Sequence, residues 1–350
     1  MSDDVWAQQD TTPDAIEAAM REMLRTRHAA NELLAPARVL NLVVVVDREW
    51  KGEIANRLER AGRYHGSRTI LCTVQEGKTT LDATATVSYD NPEDKLGVMW
   101  EKIELDLGPK HLPALQTIID PIVVSGLPTV LWSPHRHDDA IHALLPLIDV
   151  ILLDSDDFPS AAEAFERVFS VRDHAYVIDL AWLRTTPWRE RLAASFDLRS
   201  RLAALADVDE LDIRHRDGSS ASALLLAGWL ASRLGWEPRP LDLHEGDRRE
   251  GNVANGDHEV RIVMRESHQE APGLAAVTVS APPELSLSLE RGWGGLDATE
   301  RLGDGTVKQW KILGASRGEG GILGDGIRQA LLREPTYWPA LNAARELVCT

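Results

Sequence analysis

Positive charge is scarce in this chain: 38 Lys and Arg stand against 55 Asp and Glu, for a net charge of −17 over 350 residues. Nucleic acids and anionic membranes both require a basic footprint, so neither is an expected partner. Cysteine is nearly absent. Cys72 and Cys349 cannot build a disulfide framework, and such usage suits a reducing cytoplasm. Long apolar runs are missing too, the longest being VLNLVVVV, well short of the roughly 20 residues a membrane helix needs. The first residues, MSDDVWAQQDTTPD, are acidic and polar, unlike a secretory leader. There is no internal repeat and no low-complexity segment. The expectation is a soluble cytoplasmic protein, whose 43% apolar content suffices for two domains or one large one.

What is present follows an α/β rhythm. Residues 14–34 pattern as an amphipathic helix with Ile16, Met20, Met23, Leu24 and Leu34 on one side. RVLNLVVVVD is apolar on both faces and β-branched, as in a central parallel strand. EWKGEIANRLERAG places Trp50, Ile54 and Leu58 at i, i+4, i+8, and RTILCTV then supplies a second strand, closing a βαβ unit. LDATATVSY and VMWEKIELDL alternate like a strand pair exposed on one face. A helix at 112–124, the strand PTVLWSP, a short helix, the strand IDVILLD and a helix over Phe158–Val171 continue the pattern. Further on, SASALLLAGWLASRLG reads as a strongly apolar helix capped by Gly235. The polar run 243–259 reads as an exposed loop. Short strands dominate from 258, and helices near 326–333 and 338–348 close the chain. The fold class expected is an N-terminal Rossmann-like α/β domain with a mostly parallel sheet, followed by an α+β domain. The boundaries are 1–36 for an N-terminal helical segment, 37–170 for the α/β domain and 171–350 for the C-terminal one.

Candidate chemistry is thin. GASRG (Gly314–Gly318) matches the G-x-S-x-G elbow of α/β hydrolases, but no histidine follows His268, so the order Ser, Asp, His cannot be completed. Six glycines lie in Gly314–Gly326, a composition that lets backbone N–H groups approach a phosphate. Without G-K-[ST] or a following strand with a ribose-binding acid, a flexible loop is the simpler reading. HRHDDAIH (His135–His142) follows a strand end, where Asp138 and His142 share a helix face and His135 or His137 would add a third metal ligand. Acids in a helix's first turn are equally ordinary dipole complements. Asp154–Asp157 reads either as Mg²⁺ ligands or as a helix cap. Cys72 lies in an apolar strand as a small core residue. With no complete catalytic, Walker or Rossmann constellation, neither a cofactor nor an enzymatic activity is expected.

One stretch stands apart: DLAWLRTTPWRERLA, Asp179–Ala193, with two tryptophans, three arginines and a proline. YVIDLAWLR alternates like a strand, Thr186 and Pro187 suit N-cap and N1 of a following helix, and Trp188, Leu192 and Phe196 form its buried stripe. Two readings follow. In one, Asp179 pairs with Arg184 or Arg189 and holds a strand-to-helix corner. In the other, Trp182, Arg184, Trp188 and Arg189 grip a partner, since Trp and Arg dominate interface hot spots.

The run D-L-x-W-x-R-x-T-P-W-R resembles the hallmark of the glucose-6-phosphate dehydrogenase assembly proteins, the OpcA family. ARVLNLVVVV, LPTVLWSP and SASALLLAGWLASRLGW extend the resemblance in the same order, over roughly residues 35–280. The resemblance implies a non-catalytic accessory protein that binds glucose-6-phosphate dehydrogenase and promotes its assembly or activity. It would thereby act as an allosteric activator supporting NADPH supply in the oxidative pentose phosphate pathway. Relatives in this family are linked to thioredoxin through cysteines; with only Cys72 and Cys349, that layer is not expected here. The alternative is an α/β enzyme or sugar-phosphate-binding protein using the 135–142 cluster or the 314–326 glycines.

Overall fold

The structure, a computed structural model, describes residues 2–32, 34–62, 66–90, 97–134, 137–197, 199–283, 285–314 and 318–348. In chain order its elements begin with β1 (Ser2–Gln8), α1 (Pro13–Ala30), β2 (Leu34–Pro36), β3 (Leu40–Asp47), α2 (Lys51–Gly62), β4 (Ser67–Val74), β5 (Asp82–Asp90) and β6 (Gly97–Leu107). Next come α3 (Leu115–Ile119), β7 (Thr129–Trp132), α4 (Asp138–Leu144), β8 (Val150–Leu153), α5 (Ala161–Val171), β9 (Tyr176–Asp179), α6 (Leu180–Ser195) and α7 (Arg199–Ala204). Then follow β10 (Glu210–Arg216), α8 (Ser220–Leu234), β11 (Asp242–Leu243), β12 (Arg249–Asn255) and β13 (His258–Ser267). The last are β14 (Leu274–Ala281), β15 (Leu285–Gly292), β16 (Gly295–Leu302), β17 (Val307–Leu313), α9 (Gly318–Gln329) and α10 (Tyr337–Leu347).

Two compact units divide the chain, each drawn from three segments. The first holds Met1–Leu153, Val171–Ile178 and Glu319–Leu332; the second holds Asp154–Ser170, Asp179–Gly318 and Arg333–Thr350.

The first unit is built on a sheet ordered β1-β5-β6-β4-β3-β7-β8-β9, with β2 pairing β6. Pairing is parallel from β6 through β4, β3 and β7 to β8, and β5 and β1 add an antiparallel edge. From β6 to β9 this is the strand order of the doubly wound dinucleotide-binding fold, the order reversing at β3 and β7. The reason is legible in β3, whose Val43–Val46 are fully buried as a strand covered on both faces must be. The amphipathic α1 starts as its sequence dictates, with Thr12 as N-cap and Pro13 in the first turn, and it buries Ile16 and Met20. The helix expected over 112–124 is shorter: a 3₁₀ turn, Pro109–Ala114, precedes the five residues of α3, and Pro113 interrupts the ladder.

The glycine-rich segment corrects its reading as a flexible loop. From Gly318 onward it is the helix α9, and it lies earlier than the helix expected near 326–333. A Cβ on Gly320 would come within 3.1 Å of Arg60, and one on Gly324 within 3.8 Å of Ala61. These glycines sit one turn apart and face α2, so they permit close helix packing. Ser316 of the G-x-S-x-G match lies outside the described residues.

In the second unit the sheet runs β11-β12-β13-β10-β14-β15-β16-β17. Only β10 and β13 pair in parallel; the remaining neighbours are antiparallel, giving the expected α+β architecture. The polar run 243–259 is a strand rather than a loop over Arg249–Asn255, held by β13 with Val253 buried. Its polar alternation hid this. Against the sheet packs α8, buried on nearly every face and closed by Gly235 in the left-handed conformation, as expected. Gly228 brings α8 against α10, where a Cβ would lie 2.2 Å from the Ala340 carbonyl oxygen.

Candidate functional site

The hallmark stretch folds differently from its sequence reading. β9 ends at Asp179, and α6 runs from Leu180 to Ser195 with Pro187 inside it. The N-cap is Asp179, not Thr186. Its carboxylate accepts from the Ala181 N–H, and Pro187 sits well beyond the first turn where proline is usual. Nor does Asp179 pair with an arginine. It accepts from the Ser155 N–H at 3.0 Å, the Ser155 hydroxyl at 2.6 Å and the Tyr337 hydroxyl at 3.1 Å. Burial pushes its carboxyl up to about 6, against these donors, which favour the ionised form.

Arg184 is only 8% exposed and grips Asp154 with both ends of its fork, Nη1 to Oδ1 at 2.6 Å and Nη2 to Oδ2 at 2.5 Å. Asp156 lies 3.7 Å from the same guanidinium and accepts from the Ser222 N–H and hydroxyl. Burial, reinforced by the Asp154 charge, pushes the Asp156 carboxyl up to about 7. Asp154 also caps the short turn Ser155–Asp157, so DSDD acts as a cap and a guanidinium clamp. Among the described residues no group of three His, Cys, Asp or Glu side chains could hold a metal ion.

The hallmark's tryptophans go inward. Trp188 is buried, and buried Trp182 donates its indole N–H to Glu334 and packs at a tilt of 55° against Tyr337 with ring centroids 5.6 Å apart. Arg189 lies over the Trp182 ring, 3.5 Å from its centroid, and donates to the Thr185 and Thr186 hydroxyls. Burial lowers its guanidinium to about 10. Of the four residues expected to grip a partner, Arg189 is half-buried, and Trp182, Arg184 and Trp188 are inside the unit.

The apolar surface is elsewhere on the second unit. Among the described residues strand β17 pairs with β16 alone, and it exposes residues on both its faces. Val307, Trp310 and Leu313 on it are exposed, Leu313 by 72%, and Trp293, in the turn between β15 and β16, is 94% exposed. An unpaired strand edge and exposed apolar side chains are what protein partners use. The signal in the sequence was a tryptophan set in the turn R-G-W-G-G, where no core awaits it.

In the first unit, ligands of a doubly wound fold are expected outside the carboxyl ends of β3 and β7. The segment after β3 reads Asp47-Arg48-Glu49-Trp50-Lys51-Gly52, with one glycine where a pyrophosphate-binding fingerprint has three. It also carries two carboxylates. These residues do not fit a dinucleotide. His137 approaches there, its Nε2 3.5 Å from Asp47 Oδ1, and burial holds its imidazole below the ordinary range. His142 instead contacts the Asp138 carbonyl oxygen, while His135 lies outside the described residues, so the expected ligand cluster is not assembled among those described.

A cleft of about 730 Å³ opens at the other end of this unit's sheet. Its wall is a stripe of α1 that includes Glu17, Arg21 and His28, and Arg38 and Arg68 line it too.

Comparison with known proteins gives two profile matches within the OpcA family, one for each terminal domain of a protein described as a glucose-6-phosphate dehydrogenase subunit. The profile of the N-terminal domain matches residues 58–170, and that of the C-terminal domain matches residues 175–294. A Synechococcus elongatus protein with the provisional name OxPP cycle protein OpcA is 30% identical over 174 residues, 48% of this chain and 39% of that protein. A Synechocystis protein of the same name is 27% identical over 227 residues, 63% of this chain and 47% of its own length. The chain therefore spans less than half the length of these curated relatives. Among solved structures, the super-repressor mutant of Gal80p from Saccharomyces cerevisiae superimposes with a TM-score of 0.49 at 9% identity, covering 89% of this chain and 94% of that one. The scyllo-inositol dehydrogenase of Lactobacillus casei gives 0.43 at 11% identity, covering 89% and 96%. No helix among the described residues is long and apolar enough to cross a membrane.

Proposed function

The chain belongs to the glucose-6-phosphate dehydrogenase assembly protein family, OpcA, and on that premise we propose that it is a non-catalytic cytoplasmic accessory protein that binds and activates glucose-6-phosphate dehydrogenase. The observation that carries the reading is the pair of profile matches, both to domains named for that dehydrogenase and together covering residues 58–170 and 175–294. The hallmark supports it through its chemistry. Its Asp179 is held by the Ser155 N–H and its Arg184 by Asp154, while Asp156 beside that guanidinium accepts from Ser222, which is the arrangement of a fixed corner. Docking then falls to surface features, the β17 edge with Trp293 and the half-buried Arg189. Trp182, Arg184 and Trp188 contribute by holding α6 in place.

The test is co-purification with the cognate dehydrogenase and its kinetics with and without this chain. The expected result is a complex at micromolar concentration and a faster dehydrogenase, with no oxidoreductase activity from this chain alone. Trp293→Ala with Leu313→Ser should melt like the wild type and weaken the complex by about 2 kcal/mol, as loss of an interface anchor does. No complex and an unchanged dehydrogenase would refute the function. A full-strength complex with that double variant would refute the docking surface.

A further inference from the structure

We infer that the cleft of the first unit binds a nucleoside phosphate. Its volume of about 730 Å³ lies in the range of small-molecule sites. Four guanidiniums line it, those of Arg21 and Arg25 from α1 and those of Arg38 and Arg68, in a protein whose net charge is −17. Arg68, 3% exposed, donates from Nε to Glu101 at 2.5 Å and from Nη1 to Glu17 and the Ile122 carbonyl oxygen, each at 2.8 Å. Arg38 donates to the other oxygen of Glu101 at 2.8 Å, and Arg21 approaches Glu17 at 3.6 Å.

Arg25 is matched by Glu22 at 2.7 Å, and the other three positive groups share two carboxylates, which leaves one positive charge uncompensated. Among the described residues nothing accepts from Arg68 Nη2, and that atom is not one of the buried unpartnered ones, so it stays open to the cleft that Arg68 lines. Charge-assisted hydrogen bonds to an oxyanion are the strongest partner such groups can find, and the guanidinium fork matches phosphate oxygens. The remainder of the lining is apolar, with Leu24, Leu34, Met99 and Val124 among it. Such walls favour a flat apolar body over a bare sugar or inorganic phosphate. A phosphate carrying a purine satisfies both halves.

Arg21 is 75% exposed and stands 3.6 Å from Glu17, whereas Arg68 donates to Glu17 at 2.8 Å, so replacing Arg21 spares the hydrogen bonds of Arg68. The experiment is calorimetric titration of the full chain with AMP, ribose 5-phosphate and inorganic phosphate at fixed ionic strength, with the melting temperature as a second readout. AMP is expected to bind at submillimolar concentration and raise the melting temperature, with ribose 5-phosphate and phosphate each about tenfold weaker or more. Arg21→Glu should weaken AMP by about tenfold or more while melting as the wild type does in the absence of ligand. AMP binding no tighter than inorganic phosphate, or equal AMP affinity in Arg21→Glu, would overturn the assignment. All arms use this chain alone, so their outcome is separate from that of the dehydrogenase-binding test.

Discussion

Replacing Arg184 by alanine strands two buried carboxylates at once. Arg184 holds Asp154 through both ends of its fork and stands 3.7 Å from Asp156, all three side chains being nearly inaccessible. Removing one partner of a buried ion pair costs about 3–5 kcal/mol, because the other charge stays buried without compensation. The loss should depend on pH. The Asp156 carboxyl is already raised to about 7, so its contribution to stability is greatest below about 4 and is lost as pH rises through 7. Without the guanidinium that carboxyl titrates higher still, which extends the loss to higher pH. The expected destabilisation is about 4 kcal/mol at pH 8 and about 3 kcal/mol at pH 5, since the wild-type carboxyl ionises only above about 7 and one pKa unit is worth about 1.4 kcal/mol. Urea unfolding followed by tryptophan fluorescence measures it. Arg184→Lys should recover only part of the loss, since an ammonium offers a point charge in place of the fork. A destabilisation below about 1 kcal/mol, or one equal at both pH values, would refute the argument.

Gly228→Ala should destabilise by about 1–3 kcal/mol in urea melts, since its Cβ would lie 2.2 Å from the Ala340 carbonyl oxygen and 2.6 Å from the Ala344 nitrogen. An unchanged midpoint would contradict the close approach of α8 and α10. Burial pushes the Cys72 thiol up to about 12, so iodoacetamide should leave it unmodified in the native protein at pH 8 and alkylate it once unfolded. Rapid native labelling of Cys72 would refute this, and a role for Cys349 is a separate matter because it lies outside the described residues. With the Asp179 carboxyl raised to about 6, wild-type stability from that group is lost as pH climbs from about 4 to 6. The stability of Asp179→Asn relative to the wild type should therefore improve across that interval, and a flat difference would disprove it.

How much of this was written locally in the chain follows from the range of each interaction. Val43–Val46 declare a doubly covered strand by their own composition, and Gly235 declares a helix end, because both depend only on residues nearby. The hallmark was misleading for the same reason. Pro187 resembles a helix start when only its neighbours are considered, but Asp179 had capped the helix eight residues earlier, held there by Ser155 and Tyr337. Burial on several sides erased the amphipathic period that would have revealed α6. Arg184 likewise looks like a docking arginine until Asp154, thirty residues away, is brought against it. The glycines of α9 imply looseness locally and tight packing in three dimensions, because their partner is α2, far back in the sequence. Charged and glycine residues are thus the ones whose meaning depends on distant partners: burying a charge is tolerable only when its counter-ion arrives with it. The recognisable motif is accordingly mostly interior, and the exposed edge at Val307–Leu313, which carries no comparable signature, is where the docking proposal has to be tried.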